Sequence, residues 1–87
     1  MPVEKDLVIK NEQGLHARPA ALFVQIANKY ESSVTIIKDG QEVNGKSIMG
    51  IMTLAAQKGS IIRLKIDGSD AEEAMKDLER VLSEEKM

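Results

Sequence analysis

The side chain best suited to chemistry in this sequence is its single histidine, His16. It lies in the segment Gly14-Leu15-His16-Ala17-Arg18-Pro19-Ala20. The segment is typical of a helix start, with His16 at the N-cap and Pro19 in the first turn, where an amide has no helical partner to lose. The amides of Ala17 and Arg18 would then form a partly positive helix end, which favours phosphate and other anions. The Arg18 guanidinium adds a fork that suits phosphate oxygens. From these residues alone two interpretations stay open: a surface histidine at a helix start, or a histidine that holds a phosphoryl or other anionic group.

The composition removes most other chemistry. The chain has 87 residues, one histidine and no cysteine, so disulfides, thiol catalysis and multi-histidine metal sites are excluded, and we expect no metal or cofactor. The formal net charge is −2, which gives no electrostatic reason to expect nucleic-acid binding. Arg63 and Lys65 share one face of a predicted strand, but no aromatic residues flank them as they would in a nucleic-acid-binding sheet. No apolar run approaches the roughly 18 residues of a membrane span, and no export leader is visible. We expect one cytoplasmic domain over residues 1–87.

A second motif needs a test of its context. Residues 40–47, Gly-Gln-Glu-Val-Asn-Gly-Lys-Ser, satisfy the P-loop pattern. Residues 61–67 resemble the apolar strand of P-loop proteins that ends in the aspartate that holds Mg²⁺. A P-loop needs a flexible phosphate-binding loop in a parallel sheet, whereas Asp39-Gly40 predicts a hairpin turn and residues 41–43 a strand. We therefore expect no nucleotide binding. The structural interpretation of Ser47 is the N-cap of a short helix.

The spacing of apolar residues predicts the element order β-α-β-β-α-β-α. Strands are expected at residues 3–10, 34–38, 41–43 and 60–67, and helices at 17–29, at 48–56 and after a capping box of Ser69 with Glu72. The predicted buried helix stripes are Ala20, Phe23, Val24 and Ala27, then Ala71, Ala74, Met75, Leu78, Val81 and Leu82. The fourth predicted strand has one polar, solvent-facing side, which carries Arg63 and Lys65, and this favours an antiparallel sheet. The fold class is α+β, with helices packed on one face of one sheet.

Both motifs together resemble a known family. Residues 14–20 and the second signature, Lys46-Ser47-Ile48-Met49-Gly50-Ile51-Met52, resemble HPr, the histidine-containing phosphocarrier of the bacterial sugar phosphotransferase system, and the resemblance spans essentially the whole chain. It implies an open-faced sandwich of four antiparallel strands and three helices. It also implies that Nδ1 of His16 accepts a phosphoryl group from phosphorylated enzyme I, with help from Arg18, and passes it to the IIA domain of a sugar permease. Such a protein is a relay without turnover of its own, and we expect a monomer.

The resemblance implies regulation and docking as well. In the Gram-positive branch a serine in the second signature is phosphorylated by an HPr kinase/phosphorylase, so Ser47 is the expected regulatory site and a catabolite-control transcription factor an expected partner. The alternative function is a mainly regulatory HPr-like protein that acts through phospho-Ser47; the family's regulatory paralogue lacks the histidine, so His16 favours transport. Methionines often fill cores, but the short second helix can bury only one side. The expected docking residues are Arg18, Ala21, Leu22, Gln25, Ile48, Met49 and Met52.

Overall fold

The structure, a computed structural model, describes residues 2–84, and its elements follow the predicted order. The four strands are β1 (Val3–Val8), β2 (Ser33–Lys38), β3 (Gln41–Asn44) and β4 (Ile61–Asp67). The three helices are α1 (Ala17–Ala27), α2 (Ile48–Thr53) and α3 (Ala71–Ser83). The order β-α-β-β-α-β-α is confirmed.

The strands form one antiparallel sheet in the order β1-β4-β2-β3. β4 alternates: Ile62, Leu64 and Ile66 are fully buried, whereas the residues between them are exposed. This period of two places one face of the sheet against the helices and leaves the other face open to solvent. The predicted α+β open-faced sandwich is confirmed.

The helices bury the stripes that their spacing predicts. Phe23, the one phenylalanine, is fully buried under α1, and all predicted core residues of α1 and α3 are buried. α1 contacts both α2 and α3, so the three helices form one layer over the sheet. No helix within residues 2–84 combines the length and the apolar composition that a membrane crossing requires.

A tight hairpin turn joins β2 to β3. Asp39 and Gly40 both have left-handed backbone angles, with φ of 51° and 81°, and Lys38 pairs with Gln41 across the turn. Two left-handed residues in succession are the geometry that twisted two-residue hairpins require. The first part of the P-loop pattern is thus a turn followed by a strand in an antiparallel sheet, which confirms that no phosphate-binding loop exists there.

α2 is shorter than predicted: it ends at Thr53 rather than at Ala56. Ala55 adopts a left-handed φ of 50°, and its amide donates only three residues back, to the Met52 carbonyl at 3.1 Å. The tightened turn ends the helix. The Ala56 carbonyl is then available to a distant partner, the Leu15 amide, at 2.9 Å.

β1 and α1 also end two residues early. β1 ends at Val8 instead of residue 10, because the Lys10 amide donates at 3.1 Å to a carbonyl in the last turn of α3. α1 ends at Ala27 instead of Lys29, because the Lys29 amide donates to the Ile26 carbonyl, three residues back, at 3.0 Å.

The predicted capping box of Ser69 with Glu72 is wrong. The N-cap of α3 is Asp70, and its carboxylate turns away from the helix. It accepts hydrogen bonds from the amides of Glu31 (2.9 Å) and Ser32 (3.1 Å) and from the Ser32 hydroxyl. These bonds, the Ser32 hydroxyl first, hold the pKa of Asp70 below its usual value. Asp70 therefore fixes the loop before β2 instead of capping its own helix.

Candidate functional site

His16 lies at the N-cap of α1, as predicted. Its backbone is extended, with φ −86° and ψ −171°, and its carbonyl accepts the first helical hydrogen bond from the Ala20 amide at 3.1 Å. The side chain is half-buried, while Ala17 and Arg18 beside it are exposed. The structure therefore brings together a histidine, the first amides of an 11-residue helix and a guanidinium-bearing residue at one surface.

The segment before His16 is held close to the end of α2. Gly14 has a left-handed φ of 75°, and a Cβ there would lie 2.5 Å from the Ala56 carbonyl oxygen, so only glycine fits. Leu15 is buried, and its amide donates to that same oxygen. The Gly14 carbonyl in turn accepts the His16 amide at 3.0 Å. These contacts fix where α1 begins.

Asn11 also holds this segment, and sequence reasoning missed it. Its side chain is fully buried, and its Nδ2 donates to the carbonyls of Val81 (3.0 Å) and Glu84 (2.8 Å) at the end of α3. Its own carbonyl accepts the Gly14 amide at 2.9 Å. In the sequence, Asn11 has only the appearance of an exposed turn residue. Nothing local could have revealed a partner 70 residues away.

The expected docking residues of α1 differ in exposure. Arg18 and Gln25 are exposed, and Ala21 is half-buried. Leu22 is half-buried too, because it packs against the core and lines a groove between α1 and α3 together with Arg80. Leu22 thus lies at the margin of the α1 surface, on its α3 side.

The expected docking residues of α2 are all exposed. Met49 is 74% exposed, and Ile48 and Met52 are 40% and 41% exposed. Ile51 is the buried residue of α2, so the alternative that these methionines fill the core is wrong. Since α1 and α2 contact each other, the structure presents adjacent helices with an apolar, adaptable surface.

Ser47 is the N-cap of α2, as predicted: its Oγ accepts the Gly50 amide at 3.0 Å. The residue before it, Lys46, reaches back to the Tyr30 carbonyl at 2.8 Å. Gly45 packs so closely on β2 that a Cβ would lie 2.4 Å from Val34 Cγ1. The glycine before Lys46-Ser47 therefore has a steric cause in this chain.

Tyr30 connects α1 to α3. Its hydroxyl donates to the Asp77 carboxylate. This hydrogen bond, followed by burial and nearby carboxylates, raises the pKa of Tyr30 to about 12.

The open face of the sheet carries paired charges. Arg63 donates to Asp6 at 2.8 Å and lies 3.9 Å from Glu4. The hydrogen bond from Arg63, and to a smaller extent the charge of Arg63, holds the pKa of Asp6 below its usual value. Arg63 is thereby paired with carboxylates on this face of the sheet.

The fold and the site define a class of protein: a small α+β sandwich with a surface histidine at a helix N-terminus, beside an arginine and near an apolar helix. Such a site can hold a charged phosphoryl group through backbone amides and a guanidinium without a deep pocket. Within residues 2–84, no three His, Cys, Asp or Glu side chains come together as a metal site.

Comparison with known proteins identifies the family. The family described as "PTS HPr component phosphorylation site" matches residues 3–84. The HPr-like protein Crh of Halalkalibacterium halodurans is 55% identical over 76 residues, covering 87% of this chain and 90% of that protein. The phosphocarrier protein HPr of Xylella fastidiosa is 49% identical over 76 residues, covering 87% and 85%. The crystal structure of a phosphocarrier protein HPr from Bacillus anthracis matches with a TM-score of 0.89 and 51% identity, covering 93% of this chain and 96% of that one. The chain belongs to the HPr family of phosphotransferase-system phosphocarriers.

Proposed function

We propose that His16 is the residue that carries the phosphoryl group. Phosphorylated enzyme I transfers the group to Nδ1 of His16, and a IIA domain of a sugar permease then removes it. In the first step a new N–P bond forms on His16 while the donor's bond to phosphorus breaks, and the second step reverses these roles on the carrier. The observation that carries this proposal is the N-cap position of His16 on α1, in a chain of the HPr family.

Electrostatics support this role. Phosphoryl transfer depends mainly on positioning and on stabilisation of the negative oxygens. A phosphoryl group on the His16 ring would lie near the partly positive start of α1, where the first amides have no helical carbonyl to bind. Arg18, exposed in the first turn, can reach the same oxygens with its fork of donors. Because His16 is only half-buried and its neighbours Ala17 and Arg18 are exposed, two different partners can approach the same atom in turn.

The test is incubation with enzyme I and phosphoenolpyruvate, followed by intact mass measurement. The expected result is an acid-labile gain of one phosphoryl group that is absent from His16→Ala. Arg18→Ala should still be labelled, but at a lower rate. Absence of label on the unsubstituted protein refutes the proposal.

We place partner docking on the exposed residues of α1 and α2, with Met49 at the centre because it is the most exposed large apolar side chain within residues 2–84. Met49→Ala should raise the KM for transfer from enzyme I, since large apolar side chains dominate interface energies. The matched control is Ile61→Ala: Ile61 is 64% exposed but lies on the open face of the sheet. Equal transfer by both variants and the parent protein would refute this placement.

Ser47 is the proposed regulatory site. A phosphate on its Oγ would add about −1.5 to −2 charge beside the apolar surface of α2 and would weaken docking to enzyme I. Ser47→Asp should therefore lower the transfer rate. Ser69→Asp is the control, because the exposed Ser69 precedes α3 at the end of that helix remote from the His16 segment. Equal rates for Ser47→Asp and the parent protein would refute this regulation.

A mainly regulatory role is the second candidate. The 55% identity to an HPr-like protein Crh supports this candidate. In that role phospho-Ser47 would bind a transcription factor, and His16 would be dispensable. A purified HPr kinase/phosphorylase with ATP should label the protein but not Ser47→Ala. Label on Ser47 together with no label from enzyme I would favour the regulatory role over transport.

A further inference from the structure

The buried side chain of Asn11 connects the segment before His16 to the far end of the chain. Both of its Nδ2 hydrogen bonds go to backbone carbonyls at the end of α3, those of Val81 in the last turn and of the C-cap residue Glu84, at 3.0 and 2.8 Å. The neighbouring Lys10 amide donates to the Leu82 carbonyl at 3.1 Å. The Val81 carbonyl also accepts the Glu84 amide, at 3.4 Å, so Asn11 adds a side-chain partner to this helix end.

Two further hydrogen bonds connect Asn11 to the proposed phosphoryl carrier. The Asn11 carbonyl accepts the Gly14 amide at 2.9 Å, and the Gly14 carbonyl accepts the His16 amide at 3.0 Å. A displacement of Asn11 therefore moves the backbone on which the imidazole stands. The bonds continue into α1, because the His16 carbonyl accepts the Ala20 amide at 3.1 Å, but they include none of the expected docking side chains.

Asn11 is not a good choice for stability alone. Its Oδ1 is buried and has no hydrogen-bond partner among residues 2–84. A buried acceptor without a partner opposes folding, and an apolar side chain of the same size removes that cost. Leucine has the same branched skeleton as asparagine, although it is larger, and it would remove the unpartnered oxygen together with both Nδ2 bonds. The two Nδ2 bonds and the unpartnered Oδ1 therefore act on stability in opposite directions, whereas the connection to the His16 segment depends on the Nδ2 bonds alone.

We propose that Asn11 is a positioning residue for phosphoryl transfer: its amide holds the segment of residues 11–16 against the end of α3 and so fixes the His16 ring at the start of α1. The inference rests on the proposed function of His16. Transfer between two proteins requires the attacking nitrogen in line with the phosphorus, and small misplacements of a reacting group lower rates steeply. Loss of the Nδ2 bonds should reduce kcat by about tenfold and leave KM unchanged, because the exposed docking surface is untouched.

The experiment measures kcat and KM for transfer from phosphorylated enzyme I, together with thermal unfolding. Asn11→Leu keeps the branched side-chain skeleton and removes the donor, so kcat should fall, and Tm records the cost to stability separately. Leu78→Val is the matched control: Leu78 is fully buried in α3, and its truncation should lower Tm without changing kcat. If Asn11→Leu does not fold, Asn11→Ala removes the same donor without added bulk and is compared with Leu78→Val at a temperature where both are folded.

Each outcome distinguishes a role of Asn11 in positioning His16 from a role in stability alone. A lower kcat for the Asn11 variant at unchanged KM, with a normal kcat for Leu78→Val, supports the inference. A kcat equal to that of the parent protein overturns it, and so does a loss of the same size in Leu78→Val. Absence of label on the parent protein refutes the proposed function, and with it the reaction that Asn11 would serve.

Discussion

Gly14 is the residue at which backbone geometry most directly controls the histidine site, and Gly14→Ala tests this. Its φ of 75° lies in the left-handed region, where alanine costs about 1–2 kcal/mol more than glycine. The added Cβ would also lie 2.5 Å from the Ala56 carbonyl oxygen, although Cβ atoms do not approach other atoms within 3.0 Å. That oxygen must therefore move, and it is the acceptor of the 2.9 Å bond from Leu15. Loss of this bond adds about 0.5–1.5 kcal/mol.

Together the two effects predict a loss of about 1.5–3.5 kcal/mol in the free energy of unfolding. For a domain of this size that corresponds to a fall in Tm of roughly 6–28 °C. Urea denaturation followed by circular dichroism measures the loss, and the enzyme I assay should show slower transfer because His16 is two residues away.

Gly40→Ala is the matched control. Gly40 has a similar φ of 81°, but a Cβ there would meet nothing within 4 Å. It should therefore show only the left-handed cost, about 1–2 kcal/mol, and normal transfer. If both variants lose the same stability, the close approach to Ala56 is not what requires glycine at position 14, and the reasoning fails.

The other predictions concern caps and charges. Ser47→Ala should lose about 1 kcal/mol of stability in urea denaturation, because the Gly50 amide loses its cap; no loss would contradict the N-cap assignment. The lowered pKa of Asp70 stabilises the fold above about pH 4, where the unfolded carboxyl is ionised, and this stabilisation disappears as the pH falls through the lower folded pKa. Asp70→Asn should thus be less stable at pH 7 and flatter in an acid titration; parallel acid curves would argue against it. The pKa of Tyr30, raised to about 12 by the bond to Asp77, gives stabilisation that is full below about pH 10 and lost between pH 10 and 12. Tyr30→Phe should remove that alkaline loss, as thermal melts at pH 9 and pH 11.5 would reveal.

Local patterns predicted most of the fold. The buried faces of α1 and α3 follow from apolar residues at helical spacing, and β4 follows from strict alternation, because these periods reflect the geometry of each element itself. The hairpin at Asp39-Gly40 was equally visible, since both residues tolerate left-handed angles. The position of His16 at a helix start needed only the sequence around it.

Element ends were less predictable because distant groups decide them. α2 ends at Thr53, where the following turn offers the Ala56 carbonyl to Leu15, 41 residues earlier in the chain. The predicted cap of α3 failed because Asp70 binds a loop that the local sequence does not contain. Local patterns carry no information about such partners.

The sequence by itself determined the chemistry and its surroundings: one histidine, a helix start beside an arginine, a serine cap, and apolar stripes sufficient for one core. Only the tertiary structure decided what holds that histidine in place. The close contact of Gly14 with Ala56 and the bonds of Asn11 to the end of α3 both depend on segments far apart in the chain. The physical reason is that a side chain's type and spacing are local properties, whereas burial and hydrogen-bond partners exist only after distant elements have packed together.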